Sequence, residues 1–244
     1  MAINKHKFHL RLRKTHRYLG VFLGIQFFFW TVGGLYFSWT KIDEIRGDNL
    51  RKEAPLFSTK TDLVSPSVAV QKLQEKTPID SLIAVQLIDI LGQLHYQIIY
   101  KAGKEKKTQL AHAQTGELRP ALAEAEALAL AKSRLNAVAK MEKSEYLIST
   151  NGHHEYREKP LPAYAFTFGK PLNTTVYVAT EQGTVQSFRN NQWRIFDFLW
   201  MLHVMDFESR DNINNWLLRI FSVIGLLTIF SGFALFFVSS KRFK

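Results

Sequence analysis

The sequence predicts an α+β membrane protein in which two transmembrane helices flank a central domain of two similar half-units. Three observations carry this reading. Two blocks lack any Asp, Glu, Lys or Arg, namely 23 residues from Tyr18 to Thr40 and 21 from Ile220 to Ser240. The net charge of +11 gathers at the chain ends, with six basic residues and no acid before Tyr18, and Lys241, Arg242 and Lys244 at the close. Between the blocks, a helix pattern followed by strand patterns occurs twice.

The hydrophobic fraction of 46% includes 19 Phe, yet the mean hydropathy is near neutral, so apolar residues must be concentrated in blocks. A hydrocarbon core takes roughly 20 residues of helix, and both blocks are long enough to cross it. The organisation that follows is a basic cytoplasmic N-terminus over 1–17, a first span over 18–40 and a middle domain over 41–192. An interfacial helix and polar loop over 193–215, a second span over 216–240 and a tail over 241–244 complete it.

Lys5, Lys7, Arg11, Arg13, Lys14 and Arg17 before the first span, and the basic tail after the second, place both termini on the cytoplasmic side. Residues 41–215 are then outside. No basic stripe accompanies the folded middle, which argues against nucleic acid as a partner. The first block exceeds the 7–15 apolar residues of a cleaved signal, and "GGLYFSWTKIDE" offers no A-x-A-like site, so it reads as an uncleaved anchor. The chain has no Cys, which removes disulfides, thiolate metal sites and cysteine catalysis together.

In the first span, His16, Gly20 and Gly24 share a helix face at a spacing of four. Ser222, Gly225, Thr228 and Gly232 make a similar stripe in the second, and small residues of this kind let helices approach closely in lipid. The glycines need no more than this to explain them, although a glycine one turn from a histidine also leaves room for a flat cofactor. Trp39 and Trp216 mark the outer ends of the two spans as an aromatic belt. Residues 193–205 place Phe196, Leu199, Trp200, Leu202 and His203 largely on one side, as in a helix lying at the membrane surface. His203 is then at the lipid–water boundary or against the outer helix ends, bonded to a backbone carbonyl or Asp206 unless it has a ligand. The plain alternative for His16 is a headgroup-level residue in a basic cluster.

In the middle domain, "SPSVAVQKLQEK" reads as a capped amphipathic helix, and "SLIAVQLID", "LHYQIIYK" and "TQLAHAQTGEL" as strands separated by Gly turns. "PALAEAEALALAKSRL" is a second helix by propensity. "PAYAFTFG", "NTTVYVAT" and "GTVQSFRN" are strands again, with "KSEYLIS" a candidate before them. "AHAQTGEL" and "YVATEQGTV" are corresponding final hairpins of the two half-units. A linker holding Asp48, Arg51, Lys52, Glu53 and Pro55 precedes the domain.

"NGHHEYREK" reads as a solvated loop, because adjacent histidines point opposite ways on a strand and seldom share a metal. His95 and His112 fall in strand patterns as surface or half-buried residues, and "ESRDN" is a polar loop and cap before the second span. No metal site is expected. No nucleophile–base spacing, phosphate loop, H-E-x-x-H or nucleotide fingerprint occurs, so the chain is not expected to be an enzyme on its own.

"KTHRYLGVFLG", "TVGGLYF", "AHAQTGEL", "WMLHVMDF" and "LLTIFSGFALFF" together resemble the PepSY-associated transmembrane proteins. The resemblance implies a bacterial inner-membrane protein whose half-units are PepSY-like and lie outside the cytoplasm. Larger members are linked to iron uptake, and some are haem-containing reductases of ferric siderophores with more spans than the two here. It also implies that His16 and His203 match membrane histidines expected to ligate haem b.

Haem b takes one or two axial ligands, usually His or Met, so Met201 and Met205 are weaker candidates beside His203. A 23-residue helix is roughly 34 Å long, which keeps His16 and His203 of one chain from clamping the same haem. A homodimer or a partner membrane protein is then required, with His6 and His9 as further options near His16. The competing expectation is a non-catalytic binding module for a peptide, peptidase or transporter, or an assembly factor.

Overall fold

The computed structural model describes residues 5–58, 60–170 and 173–240, leaving out the side chains of Lys5 and His6, so the basic tail lies outside the described residues. The chain divides into two compact units, residues 1–41 with 195–244, and residues 42–194.

The first unit is built on α1 (Lys5–Trp39), which runs without a break through the basic segment and the first apolar block, and on α6 (Trp216–Ser239). Both are long and apolar enough to cross a membrane. The helix starts well before residue 18 because nothing between Lys5 and Tyr18 interrupts it: the segment has neither Pro nor Gly. Asn215 caps α6, its Oδ1 accepting the Leu218 N–H at 2.8 Å, so the cap lies just beyond "ESRDN".

The two helices are antiparallel. His9 Nε2 lies 3.0 Å from Ser239 Oγ, His16 Nδ1 lies 2.7 Å from Ser231 Oγ, and the Phe22 and Phe221 rings stack at 5.2 Å. Leu23 and Gly225 are buried in the seam, and a Cβ on Gly232 would stand 3.2 Å from His16 Cε1. The small stripe on α6 thus admits the imidazole of α1.

This register corrects the shared belt. Trp216 is level with roughly residues 27–31 of α1, so Trp39 lies about 12–18 Å farther along the helix. The charge-free block of α6 runs beside residues 8–25 of α1, whose own block is 18–40. The two coincide over about 12 Å.

The second unit contains the repeat. α3 (Pro66–Gln74) precedes a meander of β1 (Ser81–Ile90), β2 (Gln93–Ala102), β3 (Glu105–His112) and β4 (Leu118–Arg119). α4 (Glu124–Ser133) precedes β5 (Met141–Leu147), β6 (Ala163–Phe168), β7 (Thr174–Ala179) and β8 (Thr184–Arg189). All neighbouring strands are antiparallel. Each final hairpin turns on a left-handed glycine, Gly116 at φ 70° and Gly183 at φ 64°, as the paired sequence patterns imply.

The halves bury their faces differently. Tyr96, Ile98 and Tyr100 of β2 pack on Ala69 and Leu73 of α3. α4 contributes Ala127, Leu130 and Ala131 to a second core with Phe166, Phe168, Val176 and Phe188, which also takes in Ile90 and Leu110 of the first sheet. The expected linker is part of this unit: α2 (Ile42–Arg46) and a 3-10 turn (Asp48–Leu50) lead to Lys52, whose N–H donates to Arg134 O at 2.8 Å.

"NGHHEYREK" is not a solvated loop. Tyr156 is fully buried and stacks on Tyr177 at 4.6 Å, while Arg194 holds Glu155 through two contacts of 2.8 and 3.1 Å. Burial first, then the Glu155 charge, raise the pKa of Tyr177, which stays protonated and donates to Glu155 Oε1 at 2.7 Å. One buried tyrosine thus pins the segment to the sheet.

His95 is fully buried as well, against the surface or half-buried placement expected from its strand. Its Nδ1 is 3.0 Å from Gln93 O, its Nε2 3.4 Å from Arg119 Nη1, and its ring 4.6 Å from that of His112. Burial lowers its pKa; the Gln93 carbonyl and Glu126 oppose this, and Arg119 and His112 add to it. A folded-state pKa below the ordinary value means that the unfolded chain binds more protons as pH falls below about 6.5. Stability from this site is therefore complete above that pH and declines below it. Thermal unfolding of the full chain should drop in midpoint between about pH 7 and pH 5.5, less steeply in His95→Gln. Equal slopes in both proteins would exclude His95 as the source.

Candidate functional site

α5 (Asn191–Val204) carries His203. From residue 195 onward it runs antiparallel to the C-terminal half of α1. Phe37 meets Phe196 at 5.0 Å and Trp200 at 6.2 Å, while Trp30 meets His203 at 5.9 Å. Gly33 lies at this contact, and a Cβ added there would meet Leu199 O at 4.0 Å, an ordinary van der Waals distance. The helix is thus aligned with α1, not laid across it at a membrane surface as the aromatic pattern suggests. The reason lies in its exposed carbonyl end.

The last carbonyls of a helix have no partner within it. Here Gln26 Nε2 donates to Leu202 O at 2.8 Å, Trp30 Nε1 to His203 O at 2.9 Å, and Asn215 Nδ2 to Val204 O at 2.8 Å. Gln26 and Trp30 belong to the apolar block of α1, where polar atoms need partners. They find them on α5. That pairing fixes His203 level with Trp30, nine residues or about 14 Å inward from Trp39.

The His203 ring lies among Trp30, Phe37 at 6.0 Å and Trp200, on which it stacks at 5.9 Å with a 10° interplanar angle. Its Nδ1 is buried and has no hydrogen-bond partner. Neither the carbonyl nor the Asp206 bond expected for an interfacial histidine is made. Asp206 is instead occupied by the turn after α5: its carboxylate accepts the N–H groups of Glu208, Ser209 and Asn212 and the Ser209 hydroxyl. Beside this turn Arg210 pairs with the buried Asp197 at 2.5 Å.

His16 is differently placed. Its Nδ1 is engaged by Ser231 and its ring is half-buried in the seam with α6. That bond can set the tautomer, leaving Nε2 as the nitrogen for a ligand. Gly20 and Gly24 are exposed, with nothing within 4 Å of their added Cβ positions. His9 is bonded to Ser239, and the His6 side chain lies outside the described residues. His16 and His203 stand about 14 residues apart in α1 levels, roughly 21 Å, so the structure does not bring them together.

Met205 is buried in a left-handed conformation at φ 54°, and Met201 is half-buried. Among the described residues no group of three or more His, Asp or Glu side chains could hold a metal ion.

An imidazole with an unpartnered buried nitrogen among aromatic rings has the donor chemistry of a haem ligand. His16 of the same chain is too distant to share a ligand with His203. Sequence reading finds the histidine but misses Gln26, Trp30 and Asn215, which position it. A glutamine inside an apolar block is the one signal that pointed to them.

No curated protein and no solved structure matches the chain. The family model described as the PepSY-associated TM region matches residues 2–238, which leaves the two helices, the repeated middle and the His203 segment inside one match. With nearly the whole length covered, the chain belongs to the PepSY-associated transmembrane family.

Proposed function

We propose that this membrane-anchored protein serves iron uptake as a haem b electron-transfer subunit for ferric reduction. It resides in the bacterial inner membrane with both termini cytoplasmic and the repeated unit outside. The observation that carries the reading is the buried, unpartnered Nδ1 of His203 among Trp30, Phe37 and Trp200. A polar atom at such a site is costly unless it has a partner. Haem bound here supplies one-electron transfer. His203 would hold the haem iron, and Trp30, through its bond to His203 O, holds the residue's backbone in place. Any second ligand would have to come from a second copy or a partner membrane protein, since His16 is out of reach.

Protein purified in mild detergent from haem-replete cells should show a Soret band that His203→Ala abolishes. Intact wild-type protein without that band refutes the haem reading. A second reading, a non-catalytic module for an extracytoplasmic ligand, draws on a polar groove of about 240 Å³ lined by Lys106, Thr108, Pro160, Glu181 and Gln182. It predicts that iron-dependent growth survives His16→Ala and His203→Ala together but fails on Lys106→Glu.

A further inference from the structure

The stagger of α1 and α6 sets four cations beside an apolar helix. His9, Leu12, His16 and Leu19 are half-buried and Leu23 is buried, which defines the face of α1 turned toward α6. Arg11, Arg13, Lys14 and Arg17 are all exposed on the remaining arc. None of the four makes a hydrogen bond, ion pair or ring contact among the described residues, and no acid occurs in the first 42 positions. Arg13 and Arg17, Lys14 and Arg17, and Arg11 and Lys14 are like-charged neighbours at i,i+4 or i,i+3, an arrangement that opposes the helix unless an anion intervenes.

Their depth supplies the second argument. His16–Ser231 and His9–Ser239 place residues 11–17 level with residues 230–237 of α6, inside that helix. Phe230, Phe233, Phe236 and Phe237 are exposed at this level, by 63%, 60%, 65% and 51%. Exposed phenyl rings call for hydrocarbon, and guanidinium groups at the same level call for an anion that accepts several N–H donors. One class of molecule offers both at a single depth: a phospholipid with a net negative headgroup.

We propose that Arg11, Arg13, Lys14 and Arg17 form a binding surface for anionic phospholipid, with the phosphate on α1 and an acyl chain along the phenylalanines of α6. Each basic residue near a charged bilayer contributes about 1 kcal/mol, so each charge removed weakens retention about fivefold. The test places the full chain in nanodiscs of phosphatidylcholine mixed with phosphatidylglycerol, releases it, and counts bound lipids by native mass spectrometry. Phosphatidylglycerol should be retained over phosphatidylcholine, and the preference should vanish in R11Q/R13Q/K14Q/R17Q. Equal retention of both lipids by the wild-type chain overturns the proposal, whether or not the variant folds. So does an undiminished preference in the folded variant. Displacement of the lipid by millimolar inorganic phosphate would mark a free-ion site and likewise overturn it.

Discussion

Gly47→Ala is expected to destabilise the repeated unit by about 3 kcal/mol or more, from two separate causes. Gly47 has φ 74°, a conformation that costs a residue with a Cβ about 1–2 kcal/mol. The new Cβ would also stand 2.8 Å from Phe188 Cβ. That atom cannot swing aside, because the β8 backbone fixes it and the ring is fully buried in the second core. Asn190 Nδ2, donating to Glu44 O at 2.8 Å, holds the same corner closed. Relief would require moving α2 away from the strand. Gly92→Ala is the control, since its φ is 85° but nothing lies within 4 Å of the added Cβ. It should show the conformational cost alone, about 1–2 kcal/mol. Denaturant unfolding of both variants separates the contributions, and equal losses would exclude the steric one.

Asp206→Ala should have the next largest effect. Its carboxylate serves three backbone N–H groups and one hydroxyl, and hydrogen bonds to a charged group contribute about 1.5–3 kcal/mol each. Because the bonds share one acceptor, their sum overstates the loss, and about 3 kcal/mol is the expected scale. Burial pushes the Asp206 pKa up, but the bonds from Ser209, Asn212 and Glu208 outweigh it and hold the value at about 2. A folded pKa below the unfolded one gives stability that is full above about pH 4 and lost as pH falls toward 2. Acid unfolding of the wild type should therefore steepen in that window, and that of Asp206→Ala should not. The same variant frees the turn that delivers Asn215 to Val204 O, so exchange protection at the end of α5 should fall with it. Unchanged protection there would separate the turn from the placement of His203.

Much of the fold was legible because it depends on local patterns. Charge-free blocks gave the two long helices, and the paired hairpins at Gly116 and Gly183 gave the repeat. The same local signals could not give the stagger, which depends on which histidine meets which serine across two helices. Nor could they place α5. Its aromatic face suits a membrane surface and the flank of α1 equally, and the choice falls to Gln26 and Trp30 far away in sequence. Glu155 looked solvated because its partners, Tyr177 and Arg194, are 22 and 39 positions distant. His95 sits on a strand buried on both faces, where alternation no longer separates inside from outside.

Gly183 has a consequence for how the chain acquires its structure during synthesis. Its added Cβ would meet Ile90, Leu110 and Ile88 at 2.7, 3.1 and 3.3 Å, so the last hairpin of the second half plugs the first sheet. A nascent chain extending only through Arg119 has Ile90 and Leu110 without this cover. That cover is supplied from more than sixty residues farther along the chain. The two repeats therefore share one core, and excising either half would expose apolar side chains that the other covers.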